Sequence, residues 1–250
     1  MYNLNQAANQ RALAPVQADA VPYLRKVYVL FTGGVLFAIA GALLALYAGT
    51  EVEVPIGRGT TAFLPPLVAF GVQHWFIMLA VYMASFFGAT FARRVPGLNL
   101  FALFGYTLIT GLFLAPSLFF AQLMASQGAT LDTSPVRDAF LLTGAAFTGL
   151  TSYALITKKD FSFLGAALST GLWVVLGAMI LGIFLHSAVF QLAIASVGVL
   201  LFAGYILYDT SRILRSGDES DPVGAALRLF LDVVNLFMFL LRILSSSRNR

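Results

Sequence analysis

The sequence predicts an all-α integral membrane protein of seven transmembrane helices, and three observations carry that expectation. Of 250 residues, 59% are hydrophobic and 10% charged, against roughly a quarter charged in a soluble domain. Mean hydropathy is +0.87. Uncharged runs alternate with short charged segments, and a run of about 20 apolar residues crosses roughly 30 Å of hydrocarbon.

The elements follow in order. Residues 1–24, rich in Ala, Gln and Asn, read as a mobile polar tail, and 25–250 as a single seven-helix domain. After Arg25-Lys26, the run Val27 to Thr50 exceeds the h-region of a signal peptide and reads as a retained first span. Further runs extend from Gly59 to Ala92, Val95 to Leu131, Ala139 to Thr157 and Phe161 to Tyr208. The last is long enough for two crossings, with a divider near Leu185-His186-Ser187-Ala188. A seventh segment runs from about Ala225 to Leu244. Pro65-Pro66 falls at the start of the second span, and Pro116 is expected to kink or end the third. The small residues of the fifth span, Gly165 to Gly182, are expected to let helix backbones approach closely.

Charge orients the spans. With the N-terminus inside, Arg25 and Lys26, Arg93 and Arg94, Lys158 and Lys159, and Arg212, Arg215 and Arg228 all fall on the cytoplasmic side. The opposite loops carry Glu51, Glu53 and Arg58, then Asp132, Arg137 and Asp138, then His186. That asymmetry is what the positive-inside rule predicts. Arg248 and Arg250 run against it, and a re-entrant last segment would bring them inside. The net charge of +4 fits such loop ends, and no basic stripe with interleaved aromatics points to nucleic acid. The absence of cysteine excludes disulfides and thiolate sites. His74 and His186 lack the spacing of zinc ligands. No phosphate loop or nucleophile elbow occurs.

Two acids stand out from this pattern. Asp209 follows 48 residues without formal charge, and Asp232 lies inside the last apolar segment with Asn235 nearly one turn on. A short connection makes the last two helices antiparallel neighbours, so the acids sit at similar depth. Two carboxylates in a poorly solvated site tend to share a proton. Protonated, the pair is a latch between helices; deprotonated, it repels itself and offers oxygens of the kind calcium prefers. Intramembrane acids mark function by default. The alternative is structural, with Asp209 paired to Arg212 at the headgroup boundary and Asp232 hydrogen-bonded beside Asn235. Arg93 and Arg94 end the second span on the same side as both acids, whereas Arg242, ten residues past Asp232, lies roughly 15 Å along the helix from it.

The stretches LTSYALITKKDFSFLG (Leu150 to Gly165), GYILYDTSRIL (Gly204 to Leu214) and AALRLFLDVVNLFMFLLRIL (Ala225 to Leu244) together resemble the Bax inhibitor-1 family, also called the transmembrane Bax inhibitor motif or YccA-like family. The resemblance implies a seven-helix fold with the last helix central and the other six around it. It also implies a pH-sensitive calcium leak gated by two aspartates, which fall on Asp209 and Asp232, with an arginine ending the second helix as their counter-ion. That arginine maps to Arg93 or Arg94. Some bacterial relatives lack one or both acids and bind a membrane-anchored AAA protease.

The resulting expectation is a bacterial inner-membrane protein, cytoplasmic at its N-terminus, that leaks cations, calcium foremost, and is not an enzyme. Calcium would be the permeant ion, held transiently by Asp209 and Asp232, with no resident cofactor. Leu236, Phe237 and Leu240 would form a hydrophobic plug, and Asn235 a helix contact. The rival readings are a non-conducting protein that regulates a membrane protease or cell-death partner, and an intramembrane hydrolase using the aspartate pair.

Overall fold

A computed structural model describes residues 20–57, 60–128, 134–185, 187–215 and 221–247. The expectations for residues 1–19, Arg58, Asp132, His186, Arg248 and Arg250 lie outside the described residues.

The chain is almost entirely helical. Helix α1 spans Ala20–Tyr47, a short hairpin follows as β1 (Val52–Gly57) and β2 (Thr60–Leu64), and then come α2 (Pro66–Gln73) and α3 (Trp75–Ala92). Helices α4 (Leu98–Gly128), α5 (Pro135–Thr157), α6 (Leu164–Leu185), α7 (Ala188–Arg215) and α8 (Pro222–Ser247) complete the order. Among the described residues, six helices (α1, α3, α4, α5, α6 and α7) are long and apolar enough to cross a membrane. Their exposed surface is itself apolar, as with Trp173, Ile183 and Phe184 on α6, which fits a protein solvated by lipid. The chain is an integral membrane protein. Helix α8 carries Arg228, Asp232 and Arg242 within its apolar sequence.

Several expected boundaries move. Helix α1 already includes residues 20–24, which the sequence assigned to the polar tail. The loop bearing Glu51 and Glu53 is an antiparallel hairpin with Val52 opposite Leu64 and Glu53 opposite Phe63. Its alternation turns Val54 and Leu64 onto Ala69 of α2 and leaves Glu53 exposed. The long run to Ala92 is broken at His74, which caps α2 and precedes α3. Helix α4 continues through Pro116 instead of ending there. A proline inside such a helix loses one donor, and neighbouring packing makes that tolerable; here Gly71 of α2 lies against the Pro116 ring.

Glycines bring backbones together, but at a different pair of helices from the one expected. A Cβ at Gly41 would strike the Leu108 carbonyl oxygen, and one at Gly111 would strike that of Ala38. The pairing is reciprocal, so α1 and α4 approach backbone to backbone. On α6, Gly165, Gly171 and Gly182 instead receive the side chains of Tyr208, Leu201 and Gln191 from α7.

Helix α8 packs against α1, α4, α5 and α7. The largest buried cluster joins Val27, Phe31, Leu103, Tyr106 and Ile213 to Val223, Leu227, Leu229 and Phe230 of α8. A second cluster sets Leu236 and Phe239 against Leu168, Phe202 and Ile206 of α6 and α7.

Candidate functional site

The site forms where α7 and α8 turn past each other at the end of the bundle that carries Arg93, Arg215 and Arg228, here termed the basic end. Six residues separate Asp209 from the end of α7 at Arg215, and ten separate Asp232 from the start of α8 at Pro222. The two helices run antiparallel, which returns Asp232 to the level of Asp209. Their carboxyls face each other within hydrogen-bonding reach. Both residues are deeply buried, at 5% and 6% exposure. Asp232 Oδ2 is buried without a hydrogen-bond partner.

The cation beside them is Arg228, one turn before Asp232 on the same helix. Its Nε lies 3.7 Å from Asp209 Oδ2 and is itself buried without a hydrogen bond. Arg212, exposed on α7, adds positive charge near Asp209, and Tyr205, one turn earlier, lies within electrostatic reach of both acids. The expected counter-ions are elsewhere. Arg93 Nε pairs with Asp221 Oδ2 at 3.4 Å, and Arg94 is exposed with no ion pair among the described residues. Asp221 is held from three directions. Its Oδ1 accepts from Gly224 N at 2.7 Å, closing the first turn of α8, and its backbone carbonyl accepts from the Tyr23 hydroxyl at 3.4 Å. A Cβ at Gly224 would press on the Asp221 carboxylate, which would have to shift.

A cavity of about 880 Å³ opens between α3 and α6 and reaches down to Asp232. Asp232, Asn235, Phe239 and Arg242 line it at the spacing of one helix face, joined by Met238 and Ser245. Leu236, Phe237 and Leu240, the residues expected to form a plug, do not line it. Leu236 is buried among α6 and α7 side chains, and Phe237 and Leu240 pack beside Leu118, Ala121 and Ala139. Asn235 donates from Nδ2 to the Leu231 carbonyl at 2.8 Å within its own helix, so that donor makes no contact between helices.

Charge counting shows what this arrangement can do. With one proton shared between the acids, Asp209, Asp232 and Arg228 together are neutral, which suits a buried site. Losing the proton leaves a net negative charge where burial penalises it strongly. Two carboxylates beside a guanidinium are too few oxygens for resident calcium, which takes six to eight. Among the described residues no group of three or more acidic or histidine side chains comes together. Arg228 and Tyr205 are the site residues that sequence reasoning passed over. Their signal was the helical offset of four residues from Asp232 and from Asp209.

The family model described as inhibitor of apoptosis-promoting Bax1 matches residues 21–249. An uncharacterized protein of Campylobacter jejuni is 36% identical, the match covering 91% of this chain and 90% of that one. Protein lifeguard 4 of Mus musculus is 33% identical over 90% of this chain and 84% of its own. The Golgi anti-apoptotic protein of vaccinia virus (strain Lister) is 36% identical over 76% and 80%.

Proposed function

Because the chain belongs to the Bax inhibitor-1 family, we propose that it is a pH-sensitive cation leak, calcium foremost, gated by Asp209 and Asp232. The observation that carries this reading is the meeting of two buried carboxyls, Asp232 at the floor of a cavity and Asp209 behind it with Arg228 as its paired cation. In this reading α8 is the seventh span and the central helix. The basic end faces the cytoplasm of a bacterial inner membrane, as the positive-inside rule favours, and the N-terminus lies on that side. No catalysis is involved.

A cation entering the cleft meets Asp232. With a proton shared between Asp232 and Asp209, α7 and α8 are latched, and the packed segment Leu227 to Phe230 blocks further passage. Loss of the proton repels the two carboxylates, with Arg212 and Arg228 the nearby cations and Tyr205 the nearby phenol. Separation of the helices then breaches the packed segment, and carboxylate oxygens pass the calcium ion onward without retaining it. The leak therefore rises with pH.

Purified protein in calcium-dye-loaded vesicles, assayed across a pH series, tests this reading. Wild type should leak more as pH rises, and Asp209→Asn/Asp232→Asn should lose that dependence. Identical leak from both at every pH sinks the channel reading. A second reading, regulation of a membrane-anchored AAA protease or a cell-death partner without conduction, draws on the anti-apoptotic names of two matches. Partner binding that survives both substitutions, without any leak, would favour it.

A further inference from the structure

We propose that the cleft between α3 and α6 holds one anionic phospholipid, its phosphate on Arg242 and Ser245 and one acyl chain running inward toward Asp232. Three observations meet in this groove. Exposed apolar side chains on both walls, Met83 and Phe87 on α3 and Leu176 and Met179 on α6, mark its open side as the side facing lipid. Its interior between them is lined by Phe202, Met238 and Phe239, a surface suited to a hydrocarbon chain. At the end away from the basic end stand two unused polar groups. Arg242 is exposed in the groove and makes no ion pair among the described residues, and Ser245 Oγ is buried with no hydrogen-bond partner.

Charge selects the lipid class. A guanidinium binds a phosphate oxygen through charge-assisted hydrogen bonds, and a serine hydroxyl one residue short of a full turn further on can donate a second. A zwitterionic headgroup offers the same phosphate with its charge already offset by its own ammonium. The roughly 15 Å between Arg242 and Asp232 along α8 is the length of an acyl chain lying in the apolar part. The lipid then occupies the space through which water or a cation would reach Asp232, so in the proposed leak its chain must leave the groove before an ion enters. The site itself needs no ion conduction, so it stands whether or not the chain is a channel.

The test uses the full chain in a neutral detergent, titrated separately with dioleoyl phosphatidylglycerol and dioleoyl phosphatidylcholine and read by native mass spectrometry. Wild type should prefer the anionic lipid by about tenfold, the scale of one charge-assisted contact at a half-solvated site. Arg242→Gln should bring that ratio to about one, while Lys26→Gln, which removes an exposed cation elsewhere, should leave it unchanged. Met179→Trp, on the exposed wall, should fill the groove and weaken both lipids by about threefold or more. Glycerol 3-phosphate alone should not displace the lipid, because it has no chain for the groove. Equal binding of the two lipids by wild type, a preference that survives Arg242→Gln, binding indifferent to Met179→Trp, or displacement by glycerol phosphate would each overturn the proposal.

Discussion

From Val223 to Phe230 the last helix is walled in, every residue but Arg228 being buried, whereas from Asp232 onward one of its faces borders a hollow. The first half is also anchored by charge, through Asp221 to Arg93 and through Arg228 to Asp209. The second half keeps Arg242 unpaired among the described residues and leaves Ser245 Oγ without a hydrogen bond. The dyad sits at the join. In the proposed leak, the barrier to ions would belong to the tightly packed half at the basic end, and the hollow half would serve as its vestibule. The same contrast explains why α8 carries an acid at all. An acid is tolerable where a cation and a second acid can share its charge and proton, and among the described residues of α8 that combination exists at the join alone.

The strongest way to break this contrast is to truncate one side chain in each half. Phe230 is 1% exposed and meets Tyr106 edge to face. Phe230→Ala should destabilise the fold by about 3 kcal/mol, at the low end for such a cavity because lipid removes part of the transfer gain. Met238→Ala, on the cavity wall, should change stability by less than ~1 kcal/mol. Thermal melting in detergent measures both, and comparable losses would erase the distinction between the halves. Vesicle assays add a second reading, since Phe230→Ala should raise leak at every pH.

Arg228→Gln comes next. It leaves Asp209 without its ion-pair partner, and because the Arg228 side chain is 36% exposed the loss is discounted to about 1–2 kcal/mol. Removing a positive charge makes the pair harder to deprotonate, so the pH of half-maximal leak should move upward by about one unit. An unchanged midpoint in the vesicle assay would remove Arg228 from the site.

How much of this was legible in sequence varies by element for physical reasons. Most of the six apolar helices could be read because formal charges are costly in the bilayer and so mark where the runs stop. Helices α6 and α7 could be read because their shared run is too long for one crossing. The meeting of Asp209 and Asp232 could be read because a short connection forces antiparallel neighbours. The break at His74 could not, since neither proline nor glycine marks it. The identity of the counter-ion needed packing: Arg93 and Arg228 lie at the same end, and the structure pairs the first with Asp221 and the second with Asp209. The lining face also needed packing. The offsets from Asp232 to Asn235, Phe239 and Arg242 were visible, but nothing in them reveals that α3 and α6 leave a cleft over that face while α6 and α7 close over Leu236. Close backbone approach likewise depends on which helix stands opposite, which is why Gly41 and Gly111 serve it and the glycines of α6 do not.

Arg93→Gln sharpens the counter-ion assignment with a smaller effect. Its pair with Asp221 is partly exposed, at 34% and 15%, so the loss should be ~0.5–1 kcal/mol, with Asp221 still capping α8. The leak midpoint should stay in place. If it moves as far as in Arg228→Gln, the two arginines act as one network and the dyad is not served by α8 alone.

The smallest expected effect lies at the edge of the packed half, where residues 158–161 are stitched to α7. Arg215 donates to the Lys158 carbonyl at 2.8 Å, and Ser211 bridges the Lys159 carbonyl and the Phe161 N–H. Asp160 completes the turn, and its carboxyl is held below the usual carboxylate range. The main cause is the Ser162 backbone N–H, 2.8 Å from Oδ1, followed by the Ser162 hydroxyl, with the Arg215 charge a lesser contributor. A carboxyl held low in the folded state stabilises fully above its unfolded value, near pH 4, and loses that contribution as pH falls through the folded one. Asp160→Asn keeps an oxygen for the Ser162 N–H but removes the titration and the 3.8 Å contact with Arg215. Because Asp160 is half exposed in that contact, the melting temperature should drop by about 1 °C or less at pH 7. The gap should close below about pH 4. The leak midpoint should not move, since Asp160 lies on the loop before α6 rather than at the join. A shifted midpoint in Asp160→Asn would mean that the loop end of α7 sets the charge state of Asp209, and the dyad would then extend beyond α8 and its partner helix.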